Sequence, residues 1–277
     1  MATLVGSSGA FAQVNLPEKT ADLPGVKLHY VDSGGTGTPV IFLHAATGSS
    51  EVWEHQIKAV TGAGYRFIAY DRRGWGSSMP DPAGPAGTAA DDLENFVKYL
   101  KIDRFHLVGT AAGAIVGVDY ALSYPQRLKS MVVSTTIAGI VDEDFQELGR
   151  RIRPPQFDAL PPEMKEVGPE YRAANKEGTE RWIEFEKRSR IQGVKMAPQT
   201  SKNRVTAALF ETMPMPLLFI AGGCDLYAPA AVMHKFADRA KGARFLSIPD
   251  VGHSAYWEAP DVFNKAVLDF LKEHDRN

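Results

Sequence analysis

The sequence predicts an α/β fold in which helices cover both faces of a mostly parallel sheet. Short apolar runs alternate along the chain with amphipathic helical stretches, which is the pattern of strand–helix units. Several of these runs are apolar at every position, as expected for parallel strands that are buried on both faces. The length of 277 residues suits one large α/β domain that carries an insertion.

The predicted strands are short and rich in valine, isoleucine, leucine and phenylalanine. The first, at 26–31, alternates with period two, and the second, at 40–43, is continuously apolar. Further strands are predicted at 66–70, 106–108, 131–133, 217–220 and 245–248.

Two helices are indicated by apolar residues with helical spacing. The stretch 89–100 places its leucine, phenylalanine and valine residues on one face, and the stretch 262–271 repeats that pattern near the C-terminus. Thr88, three residues before Asp91, is typical of the cap at a helix N-terminus.

A polar region interrupts the alternation of strands and helices. Between 139 and 204 the chain contains two Pro-Pro pairs and helix-like pieces such as 179–190, but no convincing strand. An inserted, mainly helical cap explains this composition. The predicted division is therefore an N-terminal extension at 1–24, a core at 25–138 and 205–277, and the cap at 139–204.

Composition excludes several classes of protein. The 31 basic and 33 acidic residues leave a net charge of −2, which provides no field for attracting nucleic acid or anionic membranes. Cys224 is the single cysteine, so an internal disulfide and a cysteine-built zinc site are excluded. No apolar run reaches the roughly 18 residues of a membrane span. We therefore expect neither nucleic acid nor a membrane as a partner.

The N-terminal residues bear on the cellular compartment. Ala10-Phe11-Ala12 is similar to a signal-peptidase site of the A-x-A kind, but the residues before it lack a charged region. The expected location is the cytoplasm, or the periplasm if residues 1–12 are the stub of a signal peptide.

The strongest motif follows the predicted strand at 106–108. Gly109 and Gly113 stand two residues before and two residues after Ala111. This spacing lets a strand turn sharply into a helix with residue 111 at the apex, and in the motif G-x-S-x-G that residue is a serine nucleophile. The sequence therefore predicts the turn with an alanine in the nucleophile position.

Two later segments supply an acid and a histidine. Asp225 follows the strand predicted at 217–220, and His253 follows the strand predicted at 245–248. Ala111, Asp225 and His253 follow one another in the order in which hydrolases with the motif G-x-S-x-G carry their nucleophile, acid and histidine. Asp225 would hold His253 in one tautomer and stabilise its protonated form. Asp250 is the alternative acid.

Two backbone N–H groups are candidate donors of an oxyanion hole. Ala46 lies in the loop after the strand at 40–43, and Ala112 would begin the helix after the sharp turn. His44 is placed to order its own loop through hydrogen bonds. Candidate residues of the substrate pocket are His44, Trp53, Trp75 and Trp182, the tryptophans having core packing as the alternative role.

Taken together, these motifs resemble the α/β-hydrolase fold family from about residue 25 to residue 272. The resemblance implies an eight-stranded, mostly parallel sheet, a cap after the sixth strand, and no metal or organic cofactor. The sequence departs from the family at Ala45, where glycine is usual, and at Ala111, where the family has serine, cysteine or aspartate. The matching residues are His44 with Trp53 and Gln56, the segment 70–77, the turn 109–113, Asp225 with Pro229, and Gly252-His253 with Glu258 and Pro260.

Three functions follow from this resemblance, all with a small molecule as partner. The first is hydrolysis of an ester, a lactone or an activated C–C bond in an apolar or aromatic substrate, with Ala111 disabling a serine hydrolase. The second is a lyase, decarboxylase or oxygenase with native alanine, in which His253 and Asp225 provide acid–base chemistry; methylketone synthases resemble this pattern. The third is a ligand-binding receptor without turnover.

Overall fold

The computed structural model describes residues 16–194 and 199–275. The strands in these ranges form one mixed sheet. The longer strands lie in the order β1-β2-β4-β3-β6-β7-β8-β9, and the short β5 pairs with β2. Pairing is antiparallel around β2 and parallel among β3, β4 and β6 to β9, so the predicted mostly parallel sheet is confirmed. The strands are β1 (Glu18–Leu23), β2 (Val26–Asp32), β3 (Pro39–Leu43), β4 (Arg66–Tyr70), β5 (Met79–Pro80), β6 (Phe105–Thr110), β7 (Leu128–Ser134), β8 (Leu217–Gly222) and β9 (Arg244–Ile248).

Every strand predicted from the sequence is present, with ends that differ by a few residues. The strand β1 was not predicted, and it lies inside the segment 1–24 that was assigned to an N-terminal extension. It pairs along its whole length with β2, so the sheet begins before residue 25. Only Ala21 of β1 is buried, because β1 is an edge strand, and its sequence therefore lacks the apolar signal of a central strand. Residues 1–12, with the signal-like site, lie outside the described residues.

Helices cover both faces of the sheet. They are α1 (Glu54–Gly62), α2 (Ala89–Tyr99), α3 (Ala112–Ser123), α4 (Glu143–Ile152), α5 (Pro162–Glu166), α6 (Pro169–Ala174), α7 (Lys176–Arg188), α8 (Ala230–Ala237), α9 (Ala255–Glu258) and α10 (Pro260–His274). Capping of the N-terminus of α2 by Thr88 is confirmed, since the Thr88 hydroxyl accepts the N–H of Asp91 at 3.1 Å. In the described residues no helix is both long enough and apolar enough to cross a membrane.

The central strands are apolar at every position because both of their faces are covered. In β3, Ile41 and Leu43 pack in the cluster that contains α2 and α3, whereas Val40 and Phe42 pack in the cluster that contains α1 and α10. All four side chains are fully buried. This two-sided burial is the physical reason why the sequence pattern could identify the parallel strands.

Helices α4 to α7 lie between β7 and β8, within the segment predicted as a helical cap. The cap packs onto the core through α7, where Phe185 contacts the ring of Trp257 edge-on at 5.5 Å. Arg181 of the same helix donates a hydrogen bond to Glu54 of α1 at 2.8 Å. These contacts fix the cap over the carboxyl ends of the parallel strands.

A buried ion pair fastens the segment after β4 to α2. The guanidinium of Arg73 donates to both oxygens of Asp92, at 2.6 and 2.9 Å, and to the carbonyl groups of Pro24, Gly25 and Pro85. We expect Arg73→Met to lower the free energy of unfolding by about 3–5 kcal/mol, because it leaves a buried carboxylate without its cation. Urea denaturation measures this loss.

The matched control is Arg239→Met, which removes an exposed ion pair with Glu211 at 3.0 Å. Exposed pairs contribute about 0–1 kcal/mol, so this variant should unfold close to the wild-type urea concentration. Equal losses in the two variants would contradict the structural role assigned to Arg73.

Candidate active site

The turn between β6 and α3 has the sharp geometry that the sequence predicted. Ala111 has φ 49° and ψ −119°, a conformation that residues other than glycine adopt only under strain. A Cβ atom at Gly109 would lie 2.7 Å from Cα of Ala114, and one at Gly113 would lie 2.2 Å from the carbonyl oxygen of Leu43. Both glycines are therefore required by the close approach of the backbone, and Ala111 stands at the apex between them.

His253 and Asp225 are brought together from the loops that follow β9 and β8. His253 Nδ1 lies 2.8 Å from Asp225 Oδ2, and the other carboxylate oxygen accepts the N–H groups of Tyr227 and Ala228 at 2.7 and 3.0 Å. Because an ionised carboxylate only accepts, Nδ1 carries the proton and donates it to Asp225. The acid that contacts His253 is thus Asp225, and Asp250 instead lies in the exposed turn after β9.

A cavity of about 370 Å³ opens over Ala111. His253 lines it from the core, and Ile115, Ile137 and Tyr227 give it an apolar wall. Ala46 and Ala112, the two predicted oxyanion donors, also border it. The predicted residues Ala46, Ala111, Ala112 and His253 therefore all line this cavity, whereas Asp225 is buried behind His253.

The surroundings of Ala46 and Ala112 suit the role of hydrogen-bond donor. Ala112 is the first residue of α3, so its N–H has no acceptor within the helix and lies at the positive end of the helix dipole. The loop of Ala46 is held in place by the indole N–H of Trp75, which donates to the Ala46 carbonyl at 2.8 Å. Ala46 and Ala112 both border the cavity, so their N–H groups remain the candidate donors to an oxyanion.

Glu166 is an acidic residue that lines this cavity and was not predicted from the sequence. It ends α5 in the cap, is 5% exposed, and places Oε2 at 4.0 Å from Nε2 of His253. Within 16–194 and 199–275 that oxygen has no hydrogen-bond partner. In the sequence, Glu166 follows another glutamate and a lysine in a short polar helix, which is the pattern of a solvated surface. Only the tertiary structure turns it inward.

The charges around His253 shift its protonation equilibrium. Burial disfavours the charged ring, but the negative charges of Asp225 and Glu166 outweigh burial and raise the pKa of His253 to about 9. Burial also raises the pKa of Glu166, because the carboxylate loses its water, and the positive ring of His253 only partly opposes this. A protonated His253 beside two carboxyl groups is therefore the expected state near neutral pH.

Two arginines of the cap segment line the same cavity. Arg153 stacks over the ring of Tyr227 at 5.6 Å, and Arg190 stacks over Trp75 at 5.1 Å. Their positive charges make the cavity suitable for a substrate that carries an anionic group.

The four residues predicted for the substrate pocket have supporting roles in the structure. His44 is fully buried, and its Nδ1–H donates to the Ala45 carbonyl at 2.7 Å while Nε2 accepts the N–H of Arg72 at 2.9 Å. Burial lowers the pKa of His44 to about 3, so it stays neutral and orders its loop. Trp75 holds the loop of Ala46 from outside the cavity over Ala111.

Trp53 and Trp182 belong to the packed interior. Trp53 is fully buried between the rings of Phe42 and Tyr256, at 5.0 and 4.8 Å. Trp182 is 2% exposed and donates its indole N–H to the Ser254 hydroxyl at 3.1 Å. The structure therefore gives both tryptophans the packing role that was the alternative. In the described part of the chain no group of three or more histidine, cysteine, aspartate or glutamate side chains is arranged to hold a metal ion.

One carboxylate oxygen joins the cap to the loop of His253. Glu258 Oε2 accepts the N–H of Gly168 in the cap at 2.8 Å and that of Gly252 at 2.9 Å. A Cβ atom at Gly168 would lie 2.8 Å from the nitrogen of Gly252, and one at Gly252 would lie 2.5 Å from the nitrogen of Gly168. The two backbones can approach this closely only because both residues are glycines, and the contact lies two residues from Glu166.

Comparison with known proteins identifies the family to which the chain belongs. The model of the family described as alpha/beta hydrolase fold matches residues 38–260. A 2-hydroxy-6-oxononadienedioate/2-hydroxy-6-oxononatrienedioate hydrolase of Paraburkholderia phymatum is 26% identical over 286 residues, covering 93% of this chain and 94% of its own length. A 2-hydroxy-6-oxo-6-phenylhexa-2,4-dienoate hydrolase of Comamonas testosteroni is 26% identical over 294 residues, covering 97% and 98%.

The fold is also found among solved structures. A thermophilic esterase from Thermogutta terrifontis is similar with a TM-score of 0.76 at 24% identity, covering 94% of this chain and 100% of that chain. Since the family model matches well over half of the chain, the protein is an enzyme that belongs to the α/β-hydrolase fold family.

Proposed function

We propose that this enzyme hydrolyses an ester, a lactone or an activated C–C bond of a small apolar or aromatic substrate by direct attack of water. The observation that carries the proposal is the 2.8 Å contact of His253 with Asp225 at a cavity that Ala46, Ala111 and Ala112 also line. These are the parts that hydrolysis of a carbonyl compound requires, except for the nucleophile itself.

Water takes the place of the absent nucleophile in this proposal. The methyl group of Ala111 can form no acyl-enzyme, so the reaction proceeds without a covalent intermediate. His253, oriented by Asp225, transfers a proton in the reaction, and the N–H groups of Ala46 and Ala112 stabilise the oxyanion that forms when water adds to the carbonyl carbon.

The substrate that we propose also carries a carboxylate. Arg153 and Arg190 provide positive charge at the cavity, while Ile115 and Ile137 provide apolar contact. Two relatives are named as hydrolases of a dienedioate and of a phenyl-substituted dienoate, which are carboxylates. An aromatic or unsaturated acid of similar size would satisfy both parts of the cavity.

A second candidate is a lyase reaction in which His253 protonates an enolate carbon. It is favoured by the raised pKa of His253, which burial opposes and the charges of Asp225 and Glu166 produce. A histidine that is protonated near neutral pH can deliver a proton to a carbanion as well as to an oxygen. In this reaction, too, the alanine at position 111 is native, and the product is released without addition of water.

Product analysis of the wild-type chain and of His253→Ala separates these functions. Hydrolysis predicts release of acid from p-nitrophenyl acetate or a phenyl-substituted lactone, with a rate at least about 100-fold lower in His253→Ala. His234→Ala is the control, because His234 lies on α8 with 57% of its side chain exposed. Carbon dioxide release without hydrolysis would favour the second candidate, and binding without any product would overturn both.

A further inference from the structure

Glu166 faces His253 from the side opposite to Asp225. The Nδ1 side of the ring contacts Asp225 at 2.8 Å, and the Nε2 side lies 4.0 Å from Glu166 Oε2. Both carboxyl groups are nearly fully buried, and Glu166 borders the same cavity as Ala111. The histidine is thus placed between a carboxyl group from the core and a carboxyl group from the cap.

The backbone contact of Glu166 does not require a carboxyl group at this position. The backbone carbonyl of Glu166 accepts the N–H of Ser254 at 2.9 Å, a contact that any residue at this position could make. The carboxyl oxygen Oε2 is buried and, among the residues that the structure describes, has no hydrogen-bond donor. A buried polar atom without a partner is costly, so its retention indicates a partner that enters the cavity, such as water or substrate.

We propose that Glu166 is the general base of the reaction and His253 its general acid, the two together replacing the serine hydroxyl that Ala111 lacks. This inference rests on the proposed hydrolytic function and assigns a cap residue to its chemical step. The reacting water lies between Glu166 Oε2 and the acyl carbon of the substrate, which the N–H groups of Ala46 and Ala112 polarise.

The step balances with water as the only co-reactant. The water oxygen forms a bond to the acyl carbon, one water proton passes to the carboxylate of Glu166, and the carbonyl oxygen becomes the oxyanion. When the tetrahedral intermediate collapses, the bond to the leaving oxygen breaks and His253 Nε2 gives that oxygen its proton. Glu166 then returns its proton to His253, so an ester and water yield an acid and an alcohol.

The charged groups that face the two residues agree with these roles. Besides Glu166, His253 faces the carboxylates of Asp225 and Glu258, which favour its protonated form and hence the role of acid. Glu166 faces His253 and the hydroxyl group of Thr47, whose hydrogen bond favours the charged carboxylate, and more remotely Asp225 and the ammonium group of Lys165. Its burial favours uptake of a proton, which is the requirement for a base.

Glu166→Gln in the wild-type background tests this assignment directly. We expect kcat for p-nitrophenyl acetate to fall at least about 100-fold with little change in KM, since the amide cannot take a proton. The pH profile should also lose its acidic limb. Glu166→Asp should recover part of the activity, and Glu170→Gln, at an exposed glutamate of α6, should behave like the wild type.

The same substitution in an Ala111→Ser background separates chemistry from structure. There the serine attacks with the neutral form of His253 as its base and needs no second base, so Glu166→Gln should cost less than about 10-fold in the burst of p-nitrophenol. Equal losses in the two backgrounds, or an unaltered pH profile, would show that Glu166 only positions its neighbours and would overturn the proposal. Thermal unfolding of each variant shows that it is folded.

The outcomes also distinguish this inference from the function on which it rests. Full activity of Glu166→Gln in the wild-type background, together with loss of activity in His253→Ala, would overturn the role of Glu166 and leave hydrolysis intact. Hydrolysis by Ala111→Ser alone would show that the native chain does not activate water, and would overturn both.

Discussion

Replacing Ala111 with serine is expected to increase the rate of p-nitrophenyl acetate hydrolysis by about three orders of magnitude or more. Removal of a comparable serine costs on the order of a millionfold in kcat, and the surrounding parts are present in this chain. The backbone at residue 111 already has φ 49°, and His253 lies beside the same cavity with Asp225 behind it. Stopped-flow measurement should show a burst of p-nitrophenol, which reports the acyl-enzyme.

The control for this gain is the double variant Ala111→Ser with His253→Ala. It should return to the low rate of a chain without an activated nucleophile, because serine needs a base to lose its proton. A folded Ala111→Ser enzyme without any gain in hydrolysis rate would mean that the oxyanion site or the pair of His253 and Asp225 is not arranged for hydrolysis.

In the serine-bearing background, Asp225→Asn is expected to lower kcat by roughly four orders of magnitude. The carboxylate accepts the Nδ1–H of His253, whereas an asparagine amide can donate to Nδ1 and so favours the wrong tautomer. Steady-state kinetics with p-nitrophenyl acetate measures the loss. The charge of Asp225 also supports the raised pKa of His253, so an NMR titration should find that pKa lower in the variant.

Asp250→Asn is the matched control for this substitution. Asp250 lies three residues before His253 in an exposed turn with φ 60°, a conformation that asparagine tolerates well. The control should keep the activity of the serine-bearing enzyme. A loss at Asp250 equal to that at Asp225 would contradict the pairing of His253 with Asp225.

Much of the fold could be predicted because its signals are local. A strand buried on both faces, such as β3, is apolar at every position. The start of α2 is evident from Thr88 and Asp91, three positions apart. The edge strand β1 could not be predicted because it buries one residue, Ala21, and otherwise has the composition of a loop. It is a strand because it pairs with β2, and this pairing is evident only from the three-dimensional structure.

The candidate site divides in the same way. Ala111, Asp225 and His253 were predicted from chain order, since their motifs are tied to the ends of strands, and the structure brings them to one place. Glu166 was not predicted, because a carboxylate in a polar helix gives no sign that the cap will turn it inward. Trp53 and Trp182 had two possible roles in the sequence, because large aromatic residues near a site serve packing as readily as binding, and both are buried in the structure.

The single carboxylate oxygen that joins Gly168 to Gly252 has a consequence for how this enzyme can diversify. In many enzymes a lid is an exchangeable module that sets substrate choice and leaves the reaction to the scaffold. Here the segment anchored by Glu258 also carries Glu166, two residues from the anchor, into contact range of His253. Replacing this segment with the lid of a relative would therefore remove Glu166, the proposed general base, together with the surface that binds the substrate. A change of substrate selectivity by this route would also change the reaction.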